Sequence, residues 1–413
     1  MNNDTIINQK TVLSELFQVG LTKVNGQRAV ERQLDITPIN GSVAIIAIGK
    51  AASSMMLGAQ NRLKEQIKSA LIITKTGHTD KTLNWPCIEA GHPIPNTNSL
   101  EAGAQLIDFL SNIPEQTTLL ALISGGASAL VDVLPDDMGL AELQKMNQWL
   151  LASGLGIHEM NRVRQSVSLV KGGKALNYLL HDSMKQFVIS DVENDELEII
   201  GSGLFVTATN KSEKPDMPDW LKKYSQKALA VTKLKAATHG TAKVDVESHI
   251  IANNEIACRA IISHAQNLGL EVTYHGETLY DDVFDCAEKI ASELIKAKSG
   301  VHIWGGETTL TLPQNPGRGG RNQSLALALA ILLENSKSIT VLVGATDGSD
   351  GPTEDAGAII DGQTVTTGDQ RSAQAKESLL AADAGSFLAE AGALISTGPT
   401  GTNVMDIVLA IKA

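Results

Sequence analysis

The chain is 413 residues long, 43% hydrophobic and 19% charged, with 36 glycines and only 3% aromatics; this balance excludes a disordered or fibrous chain and fits about two to three compact domains. A net charge of −12 argues against sequence-independent binding to nucleic acid or anionic membranes, both of which need a basic surface. It leaves small anionic substrates open, because local Arg and Lys clusters decide those.

The opening residues, MNNDTIINQK, hold no apolar segment of the secretory kind, and no run approaches the ~18 apolar residues of a membrane span. Helical periodicity over residues 11–19 and 24–34, interrupted at Gly20, predicts a helical hairpin ahead of the first strand. Residues 43–48 form a continuous apolar run between Gly41 and Gly49, which reads as a buried parallel strand. The strand runs into Gly49 and Lys50, and a helix follows as far as Lys64. A lysine at a strand's carboxyl end lies where open α/β sheets gather ligands, although a single Gly-Lys pair also serves as a surface loop. No glycine precedes Gly49 by five residues, so this is not a P-loop.

A second strand over 70–74 leads to a rigid turn at 89–96, where Pro93 and Pro95 fix φ and exclude a helix. His92 within that turn reads as structural. After a helix over 98–110, a strand at 119–123 runs straight into Ser124, Gly125, Gly126, Ala127 and Ser128. Amides and hydroxyls at such a strand-to-helix turn cradle phosphate or carboxylate oxygens. The segment is not a GxSxG nucleophile elbow. A helix over Leu140–Ala152 precedes another that starts at His158 and continues through Lys174 towards Leu180, its basic residues fitting a solvated face. The strand at 186–190 ends at Asp191, a carboxylate at a strand tip of the kind that serves Mg²⁺. Residues 210–239 are charged, contain proline and lack strands, as an interdomain connection does.

A second strand-helix series follows: a strand at 249–252, Asn253 and Asn254 heading a helix to 267, a strand at 271–274 and a helix over 281–298. Residues 301–304 then predict a buried strand tipped by a turn at Gly305 and Gly306, with Glu307 at its end and a β-branched strand over 308–312. The loop 316–321 brings Arg318, Arg321 and the glycines Gly317, Gly319 and Gly320 to the start of a Leu/Ala-rich helix. Helix-start amides with arginine beside them form an anion site, while glycines used only for turn geometry are the alternative. The strand at 339–343 leads to Asp347, Asp350, Glu354 and Asp355, four carboxylates within nine positions that need a cation or strong donors to offset their repulsion. Mg²⁺ binding and a solvated acidic turn both stay open there.

The inventory at these loops is one lysine, an arginine pair, several amide-rich turns and scattered carboxylates, the mix that phosphoryl transfer needs. Hydride transfer would require a dinucleotide site, and no GxGxxG follows any strand. Cys87, Cys258 and Cys286 are scattered without CxxC spacing and read as reduced packing residues of a cytoplasmic protein.

The ordered motifs AIGKA at 47–51, HPIP at 92–95, SGGASAL at 124–130, SDV at 190–192, GGETT at 305–309, GRGGRNQ at 317–323, TDGSDGPT at 346–353 and TGPTGTNV at 397–404 closely resemble those of the glycerate 2-kinase family, whose C-terminal part is called the MOFRL domain. The resemblance covers nearly the whole chain. It implies two α/β domains with the active site in the cleft between them. Residues 1–240 would form a Rossmann-like parallel sheet without a dinucleotide fingerprint, with 1–40 a helical lead-in that packs on the other domain; 241–413 would form the MOFRL domain. It further implies transfer from ATP·Mg²⁺ to the 2-hydroxyl of D-glycerate, giving 2-phosphoglycerate. Partners would be small molecules only, without nucleic acid or membrane, in a cytoplasmic enzyme compatible with a homodimer.

The positions matching the family's catalytic lysine and arginine are Lys50 and Arg321. Ser124, Gly125, Gly126, Ala127, Ser128, Asp191, Asn254, Gly305, Gly306, Glu307, Gly319, Gly320 and Asn322 would bind substrate or nucleotide, and Asp191 and Asp347 would hold metal. The chain departs from the family pattern at Ala127, where a third glycine is usual, at Glu193-Asn194 and at Gly203-Leu204. These departures leave phosphoryl transfer in place and admit a related hydroxy acid. The rivals are an NAD(P)H-dependent hydroxypyruvate reductase, a label some relatives carry, and a non-catalytic sugar-acid sensor. The missing fingerprint counts against the first, and the presence of Lys50 and Arg321 against the second.

Overall fold

A computed structural model describes residues 3–206, 217–238, 244–369 and 372–413. The chain divides into two compact units, Gly26–Ile251 on one hand and Met1–Asn25 with Ala252–Ala413 on the other. Residues 210–216 and 239 of the expected connection lie outside the described residues, and most of the rest of it is the helix Asp219–Thr238.

The first unit is built on β1 (Val43–Ile48), β2 (Ile67–Lys75), β3 (Cys87–Ala90), β4 (Thr118–Ile123), β5 (Ser183–Ile189) and β6 (Asp245–Ala252), in the order β3-β2-β1-β4-β5-β6. β1 pairs with β2 and β4, β2 with β3, and β4 with β5, all parallel. Every residue of β1 is buried, which is why its sequence is a continuous apolar run rather than an alternation. Ile46 and Ile48 pack with Leu106, Leu119 and Phe205 in the core. The strand order reverses between β1 and β4, and the loops leaving their carboxyl ends therefore emerge side by side, the position where open α/β sheets bind ligands.

The second unit holds β7 (Val272–Leu279), β8 (Gly300–Gly306), β9 (Ile339–Ala345), β10 (Gly357–Asp361), β11 (Leu394–Ile395) and β12 (Asp406–Lys412), in the order β11-β10-β9-β12-β8-β7. Only β7 and β8 are parallel; β12 runs antiparallel to both β8 and β9. Side chains alternate across this sheet. On one face Thr340 bonds Gln9 and Gly344 abuts Phe17, both on the helix Asn3–Val24; on the other Val341 and Val343 pack with Leu325, Leu327 and Leu329.

Several expectations need correction. The boundary falls at 251/252 rather than 240/241, because β6 completes the first sheet instead of opening the second series. The N-terminal helices break at Asn25, not Gly20, since Gly20 sits inside the helix Asn3–Val24 against Ile261. Of the lead-in, only that first helix joins the second unit, while the helix Gly26–Ile36 joins the first. The basic helix ends at Val167; Gly172 and Gly173 have φ of 64° and 77°, values that stop helix propagation. No strand forms over 308–312, where only Thr309 bridges to Asp282. β-branched residues without a free strand to pair with do not make a strand, and β7 and β12 already occupy both sides of β8.

Candidate functional site

At the carboxyl end of β1 the chain turns sharply through Gly49, whose φ is +132°. A Cβ there would fall 2.1 Å from Ser124 Oγ, so only glycine lets the two loops touch. The next amide, Lys50 N–H, donates to Gly125 O at 2.9 Å, and Ala51 N–H donates to Ser124 Oγ at 3.0 Å. Ser124 is fully buried, and its own amide bonds Ile48 O. Ser124 and Gly125, expected to bind ligand, thus spend these groups on fixing the backbone of Lys50. Gly126 adopts a left-handed φ of +86° between the His92 ring and the Lys50 side chain.

Beyond Gly126 the short helix Ala127–Leu130 borders a cavity of about 230 Å³, lined among others by His92, Ser128, Asn161, Arg164 and Asp191. Ser128 Oγ and Ser202 Oγ are 2.7 Å apart, Ser202 Oγ–H donates to Asn161 Oδ1 at 2.9 Å, and Arg164 donates to the same Oδ1 at 3.4 Å. Burial lowers the pKa of Arg164, with Asp132 opposing. His92, read as structural, and Asn161, Arg164 and Ser202 were not among the expected site residues. The usable signal was the three-residue spacing of Asn161 and Arg164, which puts both on one helix face.

The departures fit this architecture. Ala127 opens a helix with ordinary negative φ, so the third glycine is not needed for backbone freedom. Asn194 has φ of 59°, a left-handed value that asparagine tolerates, and Leu204 is buried in the core.

A buried ion pair underlies the Arg164 helix. Lys171 Nζ bonds Asp132 Oδ2, and Ser168 Oγ donates to Asp132 Oδ1 at 2.5 Å. Lys174 Nζ donates to Gln165 O at 2.5 Å and Ser168 O at 2.6 Å, capping the helix's last carbonyls. Burial lowers the pKa of both lysines, that of Lys174 to about 8.

In the second unit Arg321 begins the helix Arg321–Leu332. Its guanidinium meets Glu307 Oε1 at 2.7 Å, Asp406 Oδ2 at 3.1 Å and Thr308 O at 2.8 Å. Burial works against the Arg321 charge, but Asp406, Glu307, Asp350 and Asp347 outweigh it and raise the pKa further. Burial raises Asp406 as well, to about 7, with Arg321 opposing. Glu307, unexplained in the sequence, is therefore an Arg321 partner. Asp406 was missed; a lone carboxylate opening an apolar C-terminal strand is its only signal.

The expected anion site at this helix start is filled from within. Asp350 takes the Asn322 amide at 3.1 Å and the Gln323 amide at 2.7 Å, and a Cβ on Gly320 would sit 2.2 Å from Asp350 Oδ1. Asn322 is buried; its amide group lies against the Asp350 and Asp406 carboxylates, yet neither its Oδ1 nor its Nδ2 reaches hydrogen-bond geometry. Thr308 Oγ1 is likewise buried without a partner among the described residues. Arg318 bonds Asp355 at 2.6 Å, which leaves Arg321 as the loop's guanidinium toward these orphaned groups. Gly319 adjoins Gly385.

Gly305 and Gly306 are not a turn but the last residues of β8, paired with Ile407 and Asp406. A Cβ on Gly305 would strike Asn254 Oδ1 at 1.8 Å, and Asn254 is a buried clamp whose Nδ2 donates to Val404 O at 2.9 Å and Asp406 O at 3.0 Å. Asp347 Oδ1 accepts from the Ser349 amide at 3.1 Å. Among the described residues no cluster of three His, Cys, Asp or Glu side chains is arranged to hold a metal. Asp191 stands in the first unit and Asp347 in the second. No described helix is long and apolar enough to cross a membrane.

Each unit thus places a cation at the entry to a helix, Lys50 in the loop between β1 and the helix Ala52–Leu63 and Arg321 at the first position of the helix Arg321–Leu332, the arrangement of an α/β protein that handles anions. A family described as "Domain of unknown function (DUF4147)" matches residues 12–237, and the MOFRL family matches residues 300–406. The D-glycerate 2-kinase of Thermotoga maritima is 33% identical over 97% of this chain and 98% of its own. The glycerate 2-kinase of Pyrococcus horikoshii is 35% identical over 90% of this chain and 88% of its own. A 29% identical relative from Agrobacterium vitis, matched over 97% of this chain and 94% of its own, carries a provisional hydroxypyruvate reductase label. The crystal structure of the Thermotoga maritima glycerate kinase superposes with a TM-score of 0.83 at 30% identity, covering 98% of this chain and 99% of that one. The chain belongs to the glycerate 2-kinase family.

Proposed function

We propose that the protein is an ATP-dependent kinase that phosphorylates the 2-hydroxyl of D-glycerate to give 2-phosphoglycerate. The observation that carries this reading is the end-to-end match to the Thermotoga maritima D-glycerate 2-kinase; the motif resemblance supports Lys50 and Arg321 as its catalytic pair. The bond from the γ-phosphorus to the bridging oxygen of ADP breaks, a bond from the glycerate 2-oxygen to that phosphorus forms, ADP leaves and the hydroxyl proton passes to solvent. Little covalent chemistry falls to the protein, so positioning and charge stabilisation dominate. In this reading Lys50, held by Ser124 and Gly125, and Arg321, held by Glu307 and Asp406, offset the charge on the moving phosphoryl. The orphaned donors beside Arg321, Thr308 Oγ–H and Asn322 Nδ2–H, fit a phosphate-bearing ligand, whose oxygens accept hydrogen bonds. Mg²⁺ commonly enters such sites on the nucleotide phosphates with only one or two protein carboxylates; Asp191 and Asp347 are the residues that would serve it.

The test mixes the protein with ATP, Mg²⁺, D-glycerate and enolase, without phosphoglycerate mutase. Phosphoenolpyruvate formation requires the 2-phosphate isomer and is the expected outcome. Absence of both phosphoenolpyruvate and ADP would overturn the reading. NAD(P)H oxidation with hydroxypyruvate would favour instead the activity in the Agrobacterium label.

A further inference from the structure

We infer that the cavity beside Ser128 is the acid-recognition subsite for a short 2-hydroxy carboxylate, and that Arg164 is the residue that reads the carboxylate. The inference rests on the kinase reading for its choice of substrate class, but it makes a separate claim about a residue which that reading does not use.

Three observations carry it. The first is charge. Arg164 is partly buried and lines the cavity, and among the described residues the one hydrogen bond of its side chain is the 3.4 Å contact to Asn161 Oδ1. Among the described residues no carboxylate lies within ion-pair distance of it. Asp132 favours the Arg164 charge from a distance but is itself paired with Lys171. The guanidinium is thus drawn out of water without a carboxylate in direct contact, which is costly, and a ligand carboxylate supplies that contact in the bidentate geometry arginine favours.

The second is hydrogen-bond polarity. Arginine only donates, which fixes Asn161 Oδ1 as the acceptor on that side. Ser202 has one hydroxyl proton and gives it to the same oxygen. In the 2.7 Å contact between Ser128 and Ser202, Ser128 must therefore be the donor. The Ser128 proton is thereby committed, and its oxygen remains as an acceptor at the cavity wall. A carboxylate-plus-hydroxyl ligand matches this wall: the anion goes to Arg164, and a hydroxyl proton goes to Ser128 Oγ or to Asp191, which lines the same cavity.

The third is size and rigidity. About 230 Å³ is below the range of about 300–1,000 Å³ typical of drug-sized ligands, and it suits an acid of three or four carbons rather than a whole nucleotide. The helix carrying Arg164 is pinned at its end by Lys174 on the Gln165 and Ser168 carbonyls, so the guanidinium is preorganised.

The experiment compares wild type, R164Q and R164K, with circular dichroism to verify folding. In the coupled assay R164Q is expected to raise KM for D-glycerate roughly tenfold to hundredfold, the worth of one charge-assisted contact, while KM for ATP stays within about twofold; R164K recovers part of the loss. Wild type is expected to prefer D-glycerate strongly over its uncharged amide, and R164Q to lose that preference. A change confined to KM for ATP, or to kcat alone, would overturn the assignment. Thermal-shift titration with D-glycerate in the absence of nucleotide separates this claim from the kinase reading. Binding by wild type but not by R164Q upholds the subsite even if no turnover occurs, and equal binding by both sinks it.

Discussion

Asp350 lays its carboxylate on the first turn of the helix Arg321–Leu332, with Oδ2 accepting from Gln323 N–H at 2.7 Å and Oδ1 from Asn322 N–H at 3.1 Å. The site that a bound anion would take at this helix start is occupied by the protein's own side chain, so Arg321 and not the helix amides must make the external anion contact. Burial raises the Asp350 pKa to about 6, the two amides opposing. With the folded value above the unfolded one near 3.9, the folded state binds more protons between these limits. This contribution to stability is fully present below about pH 3.9 and is lost as pH rises through 6. Urea unfolding of Asp350→Asn should therefore show a flatter stability profile than wild type between about pH 4 and 6. At pH 7 it should be about 1–3 kcal/mol less stable, because an NH2 then faces an amide donor. An unchanged slope would show that another group titrates there.

Arg321 is held in a way that a shorter or differently shaped side chain cannot copy. Arg321 reaches Glu307, Asp406 and Thr308 O together, and an ammonium has no planar fork to span them. Lys50→Met and Arg321→Ala are each expected to lower kcat on the order of a thousandfold, in line with cations that stabilise transferring phosphoryl groups. Arg321→Lys should recover little. Near-normal turnover by both alanine and methionine variants, measured on folded protein, would remove these residues from the mechanism.

The first sheet was legible because parallel strands buried on both faces leave unbroken apolar runs, as in β1 and β4, and because Lys50 and Ser124 stand where those runs end. The second sheet was less so. β12, its central strand, is the last strand of the chain, and its pairing with β8 and β9 is a long-range choice that no local pattern announces. Gly305 and Gly306 looked like a turn because glycine permits one; the structure uses them inside β8 so that Asn254 can approach Gly305 and Leu279 can approach Gly306. Arg164 was hidden for a different reason. Its helix carries other basic residues outside the cavity lining, and a sequence shows spacing but not which face lines the cavity and which packs on the helices Leu140–Ala152 and Asp219–Thr238.

The buried pair of Lys171 with Asp132, and Lys174 beside it, set an alkaline signature. Lys171→Met would leave Asp132 buried and unpaired, at an expected cost of about 3–5 kcal/mol. Lys174 bonds backbone carbonyls rather than a carboxylate, and burial lowers its pKa to about 8. Between that value and the unfolded value near 10.4 the unfolded chain binds more protons, so stability rises with pH across this window and the penalty is greatest below pH 8. The stability of wild type minus that of Lys174→Met, followed by denaturant titration, is expected to climb from about pH 8 to 10. A flat difference would mean that Lys174 stays protonated in the fold.

Gly49 offers the sharpest test of how Lys50 is positioned. A Cβ there meets Ser124 Oγ at 2.1 Å and Ser124 O at 2.5 Å, and the backbone has φ of +132°. Gly49→Ala therefore combines backbone strain of about 1–3 kcal/mol with two clashes of different kinds. Removing the hydroxyl with Ser124→Ala relieves only the first clash, and the same change deletes the acceptor of Ala51 N–H. The double variant Gly49→Ala/Ser124→Ala should thus recover part of the stability lost by Gly49→Ala but little of its kcat, because the carbonyl still displaces the turn that carries Lys50. Full recovery of kcat in the double variant would show that the Lys50 backbone does not depend on this contact.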